Sequence, residues 1–500
     1  MKRKKYLALF HITVFFPIII YADENVIVSE AEHAFDRAEK AFYSKEWHEL
    51  PDEQLINTNR VKWNRLAKAA LNLPEWMEFS LSQRTRFESS SHPWLAGEAS
   101  GTNQQLPMQS RIRLGANNEN FGLIFEGQDS RTNFDSPNML SGNVMTDEFD
   151  VLQLFTSASM KNIAGTGIRG DVDLGRFSMD LGSSRFIGRN GFEQTTNSFE
   201  GGHLSLAAAE NKWRFRTFMM SRVTRTMYQA DESHQSPLMW GADFETKTTS
   251  WLNNEAYYIG VNDNNDAEKN HKAFSVFGTR AYLKPIQTAT LKQEFGVIDY
   301  DFETAIETGE KGLKDFFAYM GHAEVGYTFN STWFPRLMAE YEYASGTKNP
   351  NGNMNNTLDR LSGVRTNMFI TSLFGPMFQS NLEYGGLRLI TQPLDNVKMN
   401  LKHHVWYLAE AKDAMSGSAM TGSANLQDKT GSAGRSLGQD VEMSASWALR
   451  SNLTLEAGYE HWFKGDYFSR LPIASKASNA LPVGGEKDTD YFYVSSELRF

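Results

Sequence analysis

Three pairs of arginines spaced by two residues are the first feature of this chain with chemical content. They are Arg84 with Arg86, Arg111 with Arg113, and Arg214 with Arg216. Strand side chains alternate, so each pair shares one face of an extended segment. The opposite faces are apolar: Met77, Phe79, Leu81 and Phe87 in the first, Leu106, Met108, Ile112 and Leu114 in the second, Trp213, Phe215, Met219 and Val223 in the third. Guanidiniums gathered on one wall of a water-filled space attract anions and let them pass. The plainer use is to solvate a wet interior and pair with nearby acids, Glu78, Glu88 or Glu126. Later segments carry acids at the matching positions: Glu324, Glu340, Glu342, Glu442 and Glu456. A basic wall facing an acidic wall also suits a channel with no strong solute preference.

Other chemistry fails on spacing. His403 and His404 are adjacent on a strand, face opposite sides and cannot ligate one metal together. His404, near Trp406, reads as an inward polar residue. Asn262-Asp263-Asn264-Asn265-Asp266 lacks the glycine and terminal glutamate of an EF-hand loop and reads as a solvated turn. Gly431-Ser432-Ala433-Gly434-Arg435-Ser436 lacks the Gly-Lys-Ser/Thr ending of a phosphate-binding loop, and there is no Gly-x-Ser-x-Gly elbow. No catalytic residue, metal site or cofactor is expected. A hydrolase assembled from Ser, His and acid residues on different strands stays open as the lesser reading.

The elements that would position the arginines are strands. From Trp76 onward the period is two. Phe121, Leu123 and Phe125 oppose Glu126 and Gln128; Phe317, Tyr319, Ala323, Val325, Tyr327 and Phe329 oppose Glu324 and Thr328. Leu337, Ala339, Tyr341 and Tyr343 oppose Glu340 and Glu342; Val441, Met443, Ala445, Trp447 and Leu449 oppose Asp440, Glu442, Ser444 and Ser446. The last segment, Tyr491 to Phe500, puts Phe492, Val494, Ser496, Leu498 and Phe500 on one face and Tyr491, Tyr493, Ser495, Glu497 and Arg499 on the other. Such a strand suits a wall with lipid outside and water inside. Asn/Gly-type turns such as Asn117-Asn118-Glu119-Asn120 alternate with long polar loops such as 89–105 and 131–146. An arginine facing lipid at mid-bilayer costs about 2–4 kcal/mol, so the doublets belong in the lumen. A soluble sandwich or propeller is the rival, and it would need a blade-like repeat that the chain lacks.

Composition agrees. The chain has 500 residues, 13% aromatic, 38 Gly, 14 Pro, no Cys and a formal net charge of -10. Without Cys there are no disulfides or thiolate metal sites, and the acidic balance argues against nucleic acid. Met1-Lys2-Arg3-Lys4-Lys5, an apolar run from Leu7 to Ile20 and Ile20-Tyr21-Ala22 read as a secretory signal peptide over 1–22. The run is shorter than the roughly 18 residues of a membrane helix, although an uncleaved anchor is the alternative. Residues 23–75 read as a short helical periplasmic segment: Ala31, Ala34, Phe35, Ala38, Ala41 and Phe42 recur at helical spacing after a capping pair, Ser29 and Glu32. That segment sits before the barrel or plugs it.

Several local patterns together resemble a known family. They are Gly175-Arg176-Phe177 with Arg185-Phe186-Ile187-Gly188-Arg189 and Asn197-Ser198-Phe199-Glu200-Gly201; Glu340-Tyr341-Glu342-Tyr343-Ala344-Ser345-Gly346 with Asn356-Thr357-Leu358-Asp359; His404-Val405-Trp406-Tyr407-Leu408-Ala409; and Gly434-Arg435-Ser436-Leu437-Gly438-Gln439-Asp440 with Gly458-Tyr459-Glu460-His461-Trp462. In this order, over roughly residues 76–500, they resemble the alginate export family of bacterial outer-membrane barrels. The resemblance implies an all-β, transmembrane, antiparallel up-and-down barrel of 18 strands, with 16 as the alternative, acting as a monomer. About 425 residues over 18 strands leave about 24 each, enough for ~10-residue strands and uneven loops. It also implies outward passage of an anionic polysaccharide through an arginine-lined constriction, and it adds Arg176, Arg185 and Arg189 as pore arginines. Phe177 and the Phe199-Glu200-Gly201 sequence depart from the family's usual pattern, which bears on the substrate and not on the barrel.

The expectation is therefore an outer-membrane channel for a hydrophilic, anionic saccharide such as alginate or an oligouronate, with general solute uptake as the alternative. Arg84, Arg86, Arg111, Arg113, Arg176, Arg185, Arg189, Arg214 and Arg216 would attract carboxylates. Glu126 and Glu342 would hold arginines in place or divide the path. Expected partners are outer-membrane lipid, the saccharide and periplasmic export machinery.

Overall fold

The alternating segments close on themselves in the computed structural model, which describes residues 71–500 apart from 75, 93–101, 119, 134–144, 192, 209–211, 234–236, 250, 264–270, 284–295, 365–377, 416–425, 451 and 472–484. The signal peptide and all but the last few residues of the expected helical segment lie outside the described residues. The strands are β1 (Met77–Ser91), β2 (Thr102–Asn117), β3 (Phe121–Asn133), β4 (Asp147–Met160), β5 (Ile168–Phe177), β6 (Phe199–Ala208), β7 (Trp213–Arg222), β8 (Leu238–Thr249), β9 (Leu252–Asp263) and β10 (Lys272–Leu283). They continue as β11 (Val297–Lys311), β12 (Lys314–Thr328), β13 (Arg336–Ala344), β14 (Met354–Asn355), β15 (Leu382–Leu394), β16 (Val397–Leu408), β17 (Ser436–Arg450), β18 (Leu453–Lys464) and β19 (Thr489–Arg499).

Eighteen of these form an antiparallel wall in sequence order; β14 only adds two residues in parallel to β12 beside Asp315 and Phe316. The final strand returns to the first, with Ser82 opposite Arg499 and Ser90 opposite Tyr491. Leu81 and Phe500 exchange backbone hydrogen bonds of 2.9 and 2.7 Å at the seam. The strand count is the expected 18. Closure leaves no edge, so every wall residue can satisfy its N–H and C=O within the sheet, as a lipid environment demands.

Connections differ by side. One end carries turns such as 118–120, 395–396 and 451–452, and the other carries 178–198, 345–381, 409–435 and 465–488. The tight turn after β2 has a local cause: the Asn118 side chain accepts from the backbone N–H of Asn120 (2.9 Å) and Phe121 (2.7 Å). The long-connection end has one exception, the two-residue Gly312-Leu313 turn between β11 and β12.

The outer face is greasy along its whole circumference. Leu81, Leu123, Leu174, Met219, Phe277, Val325, Leu337, Leu401, Met443, Trp447 and Val494 are all exposed. On β1–β3 the inner face stays polar to the loop end, whereas on β7, β9, β10 and β18 it changes character along the strand. Near the turn end it is polar and mostly charged: Arg214 and Arg216 on β7, Asn253 and Glu255 on β9, Arg280 on β10, Glu456 on β18. Toward the loop end it becomes apolar: Phe218 and Met220, then Ile259 and Val261, then Phe274 and Val276, then Trp462. This apolar collar is where the loops pack. One inner cluster joins Phe177, Phe199, Phe218, Met239, Ile259, Phe274 and Phe316 to Met179, Leu181, Phe186 and Ile187 of the β5–β6 loop. Another joins Tyr384, Trp406, Trp462, Tyr491 and Tyr493 to Tyr467 and Phe468 of a short helix, α1 (Asp466–Arg470), in the β18–β19 loop. Burying each such side chain is worth roughly 1.5–3 kcal/mol, so these loops are packed elements of the interior.

Candidate functional site: an inserted loop within a charged belt

The β5–β6 loop, residues 178–198, enters the barrel and nearly all of its described residues are buried. Two close approaches explain its course. Gly182 has φ of +52°, which L residues rarely adopt, and a Cβ there would sit 1.9 Å from Glu255 Oε1, so any side chain would strain the backbone and displace Glu255. Gly363, on the β13–β15 loop, would place a Cβ 1.8 Å from the Arg185 carbonyl oxygen, because the two loops cross there. They hydrogen-bond where they meet: Ser362 N–H donates to Phe186 (2.9 Å), Val364 N–H to Ser184 (3.0 Å) and Gly188 N–H to Ser362 (3.2 Å).

Arginines fix the loop to opposite walls. At one side Arg185 Nη1 lies 2.6 Å from Glu303 of β11 and its Nε lies 3.3 Å from Glu342 of β13. Tyr257 donates to Glu303 (2.8 Å), and His322 Nδ1 is 3.0 Å from Glu342. Arg189 bonds Asp180 within the loop at 2.7 Å, and Arg216 Nη1 donates to the Asp180 carbonyl at 2.9 Å. At the other side Arg84 of β1 donates to the Gly191 carbonyl (2.6 Å), the Glu193 carbonyl and the Gln194 side chain (3.3 Å). Arg111 of β2 donates to Thr196 and to Gln128 (3.1 Å). In an 18-strand ring β1 and β11 are almost diametrically opposed, so the loop is a strut across the lumen.

The remaining expected residues form pairs on the wall. Arg86 meets Glu88 at 2.7 Å, Arg113 meets Glu126 at 3.3 Å, Arg214 meets Glu245 at 2.5 Å and Arg216 meets Asp243 at 2.7 Å. Gln105 also donates to Glu88 (2.6 Å) and Gln153 to Glu126 (2.6 Å), so these carboxylates are held from two sides. A close pair of opposite charges presents a far weaker field than either charge alone.

Arg176 is placed differently from the rest. It lies opposite Leu154 on β4 and Glu200 on β6, and shares the face of the exposed Val172 and Leu174. There it bonds Glu200 (2.7 Å), the Val151 carbonyl (2.9 Å) and Ser233 (3.1 Å). Phe177, its neighbour, takes the inward position and joins the apolar collar. The structure thus sets Arg176 on the outer face at the loop end, away from Arg185 and Arg189.

Two arginines outside the expected pore set also hold the strut. Arg222 Nη2 donates to Asn197 (3.0 Å), and Arg225 donates to Thr195. Arg222 follows Arg214 and Arg216 at even spacing, which was the available signal; Arg225 lies in a loop and had none. Four arginines, Arg84, Arg111, Arg222 and Arg225, therefore grip the stretch from Gly191 to Asn197 through neutral oxygens. The acidic wall is likewise laced with cations: Arg336 bonds Glu324 (2.8 Å) and Asp299, Lys402 lies 3.2 Å and His404 2.8 Å from Glu340, and Arg280 bonds Asp301 (2.6 Å). His404 is inward and in ring contact with Trp406 and Tyr384, while His403 faces outward beside Gln439.

The comparisons agree with this architecture. The family model for alginate export matches residues 75–480. Solved structures of similar shape include OccK8 (OprE) of Pseudomonas aeruginosa, with 9% identity, TM-score 0.55 and coverage of 85% of this chain and 98% of that one. OccK5 (OpdH) of Pseudomonas aeruginosa follows with 12% identity, TM-score 0.53 and coverage of 84% and 98%, and OccAB1 of Acinetobacter baumannii with 11%, 0.52, 85% and 97%. At such identities the likeness is one of fold. No curated protein matches this chain. A closed 18-strand wall with lipid-compatible outer residues, long loops on one side and a family match across four fifths of the sequence lead to one assignment: the chain belongs to the alginate export family and is a channel-type barrel of the bacterial outer membrane.

Proposed function

We propose that the channel passes an anionic saccharide, alginate or an oligouronate, by diffusion and without a covalent step. The observation that carries this reading is the convergence of Arg84, Arg111, Arg222 and Arg225 on one side of the strut. Their guanidiniums lie where the lumen is divided, so a polyanion threading past the strut meets them in a confined space. Confinement between low-dielectric walls strengthens such attraction. Arg185 and Arg189 serve this path indirectly, by bracing the strut. The wall pairs Arg86–Glu88, Arg113–Glu126 and Arg214–Glu245 are buried and neutralise one another, so they leave the path to the more accessible guanidiniums of Arg84 and Arg111. Monomeric action is part of the same reading, and a wall complete within one chain supports it.

The test is oligouronate block of single channels in a planar bilayer. The double variant Arg84→Ala/Arg111→Ala should weaken block at least tenfold, a loss of about 1.4 kcal/mol. Unchanged block would remove these arginines from the path. A second reading, general solute uptake, is favoured by the acids on β12, β13, β17 and β18, and it predicts no oligouronate block in the parent channel.

A further inference from the structure

Three clusters of acids stand close enough to share a cation among the described residues, and their surroundings differ. Asp243, Glu245 and Glu255 face Arg216, Arg214 and Arg280 at 2.7, 2.5 and 3.5 Å, one cation for each acid. Asp440, Glu442 and Glu460 lie inside the barrel on β17 and β18, where His404 Nδ1 comes within 3.5 Å of Asp440. The third cluster sits at the loop end. Asp147 and Asp150 open β4, and Asp231 comes from the β7–β8 loop, residues 223–237. Its carboxylate oxygens lie within 4.8 Å of one another.

Asp147 is 2% exposed. Its Oδ1 has no hydrogen-bond partner, as is also true of Asp243 Oδ2, Glu255 Oε1 and Asp440 Oδ2 in the other two clusters. What sets the third cluster apart is that no ion pair among the described residues reaches its buried acid, which feels Arg225 only at longer range. The other two acids are held in place from behind: Asp150 accepts from the N–H of Val151 (2.5 Å) and of Asp231, and Asp231 accepts from the N–H of Thr226 (2.9 Å). Arg176 comes to 3.7 Å of Asp150, but its closer bond is to Glu200. A buried carboxylate oxygen without a donor is unfavourable, and the two like charges beside it add to that cost, offset only in part by Arg225. A hard cation with flexible coordination removes both costs, and an all-oxygen set of carboxylates and water suits calcium better than zinc.

We propose that Asp147, Asp150 and Asp231 form a calcium site that staples the β7–β8 loop to the start of β4. The staple acts on the strut as well, because the same loop carries Arg225, which holds Thr195. Calcium binding would thereby stiffen one anchor of the lumen constriction from the outer side of the membrane.

The experiment is calcium titration of the full chain, refolded in detergent free of lipopolysaccharide, with bound ion read by equilibrium dialysis. One calcium per chain should bind, with a dissociation constant in the ~10⁻⁴–10⁻³ M range of extracellular sites. Asp147→Asn and Asp231→Asn should each weaken binding at least tenfold, and Glu148→Gln, an exposed neighbour, should leave it unchanged. Calcium should also slow protease cleavage within 223–237 in the parent chain and not in Asp231→Asn. Heat-modifiable gel migration confirms that each variant is folded. No bound calcium at several millimolar, or equal binding by the parent and both Asp variants, would overturn the site.

Discussion

Arg185 shows what a buried arginine does in this barrel. Its guanidinium joins Glu303 and Glu342 on strands two apart in the wall, and all three side chains are nearly inaccessible. Removing one partner of such a cluster leaves charge buried without compensation, which costs about 3–5 kcal/mol. Arg185→Ala should therefore lower the urea midpoint of the folded barrel clearly, while Arg185→Lys recovers part of it. An unchanged midpoint would mean that the strut is held by its apolar contacts alone. Arg176 makes the opposite case. It lies on the outer face, so Arg176→Ala should leave ion selectivity unchanged, whereas Arg84→Ala should reduce anion preference. Asp359, in the β13–β15 loop, adds a pH prediction. Burial opposes its ionisation, but Lys311 (3.0 Å) and Lys272 (2.7 Å) outweigh burial and hold its carboxyl well below the usual range. A depressed carboxyl contributes stability that is full above its unfolded pKa of about 3.9 and is lost as pH falls through the lower folded value. The loop should therefore stay protected from protease at pH 4 and loosen only in stronger acid, with Asp359→Asn loosened at neutral pH.

At the scale of elements, the two faces of each strand respond to opposite rules. Met443 is exposed near the middle of β17, and Ser446 faces the lumen on the same strand. Met443→Arg should cost about 2–4 kcal/mol in folding into bilayers, and Ser446→Arg should cost little. Equal costs would argue against lipid at the outer face. Alternation of this kind was legible in the sequence because one face per strand is uniformly apolar, and the lumen positions of Arg84, Arg111, Arg214 and Arg216 follow from it. Two features were hidden from the same reasoning. On strands such as β7, β9 and β10 the inner face is apolar near the loop end, so runs such as Tyr257 to Val261 lose their alternation where the collar begins. The Gly175-Arg176 pattern placed Arg176 by resemblance, while the parity of Val172 and Leu174 pointed it outward.

For the whole molecule, the strut was out of reach of sequence reasoning. The bonds that tie it to opposite walls join residues more than a hundred positions apart: Arg84 to Gly191, and Arg185 to Glu303 and Glu342. Closure decides these contacts, because only a ring brings β1 and β11 to face each other across a lumen. The same ring explains why so many lumen charges are paired, since wall positions two apart on neighbouring strands are within reach of long side chains. Selectivity then falls to the few positions where the path narrows. Under the proposed function, guanidiniums govern this narrowing. The most direct measurement is the reversal potential of the reconstituted channel in a KCl gradient. A guanidinium-governed constriction gives a potential of the sign set by chloride, diminished in Arg84→Ala/Arg111→Ala. A potential of the sign set by potassium, unaltered by that double variant, would contradict it.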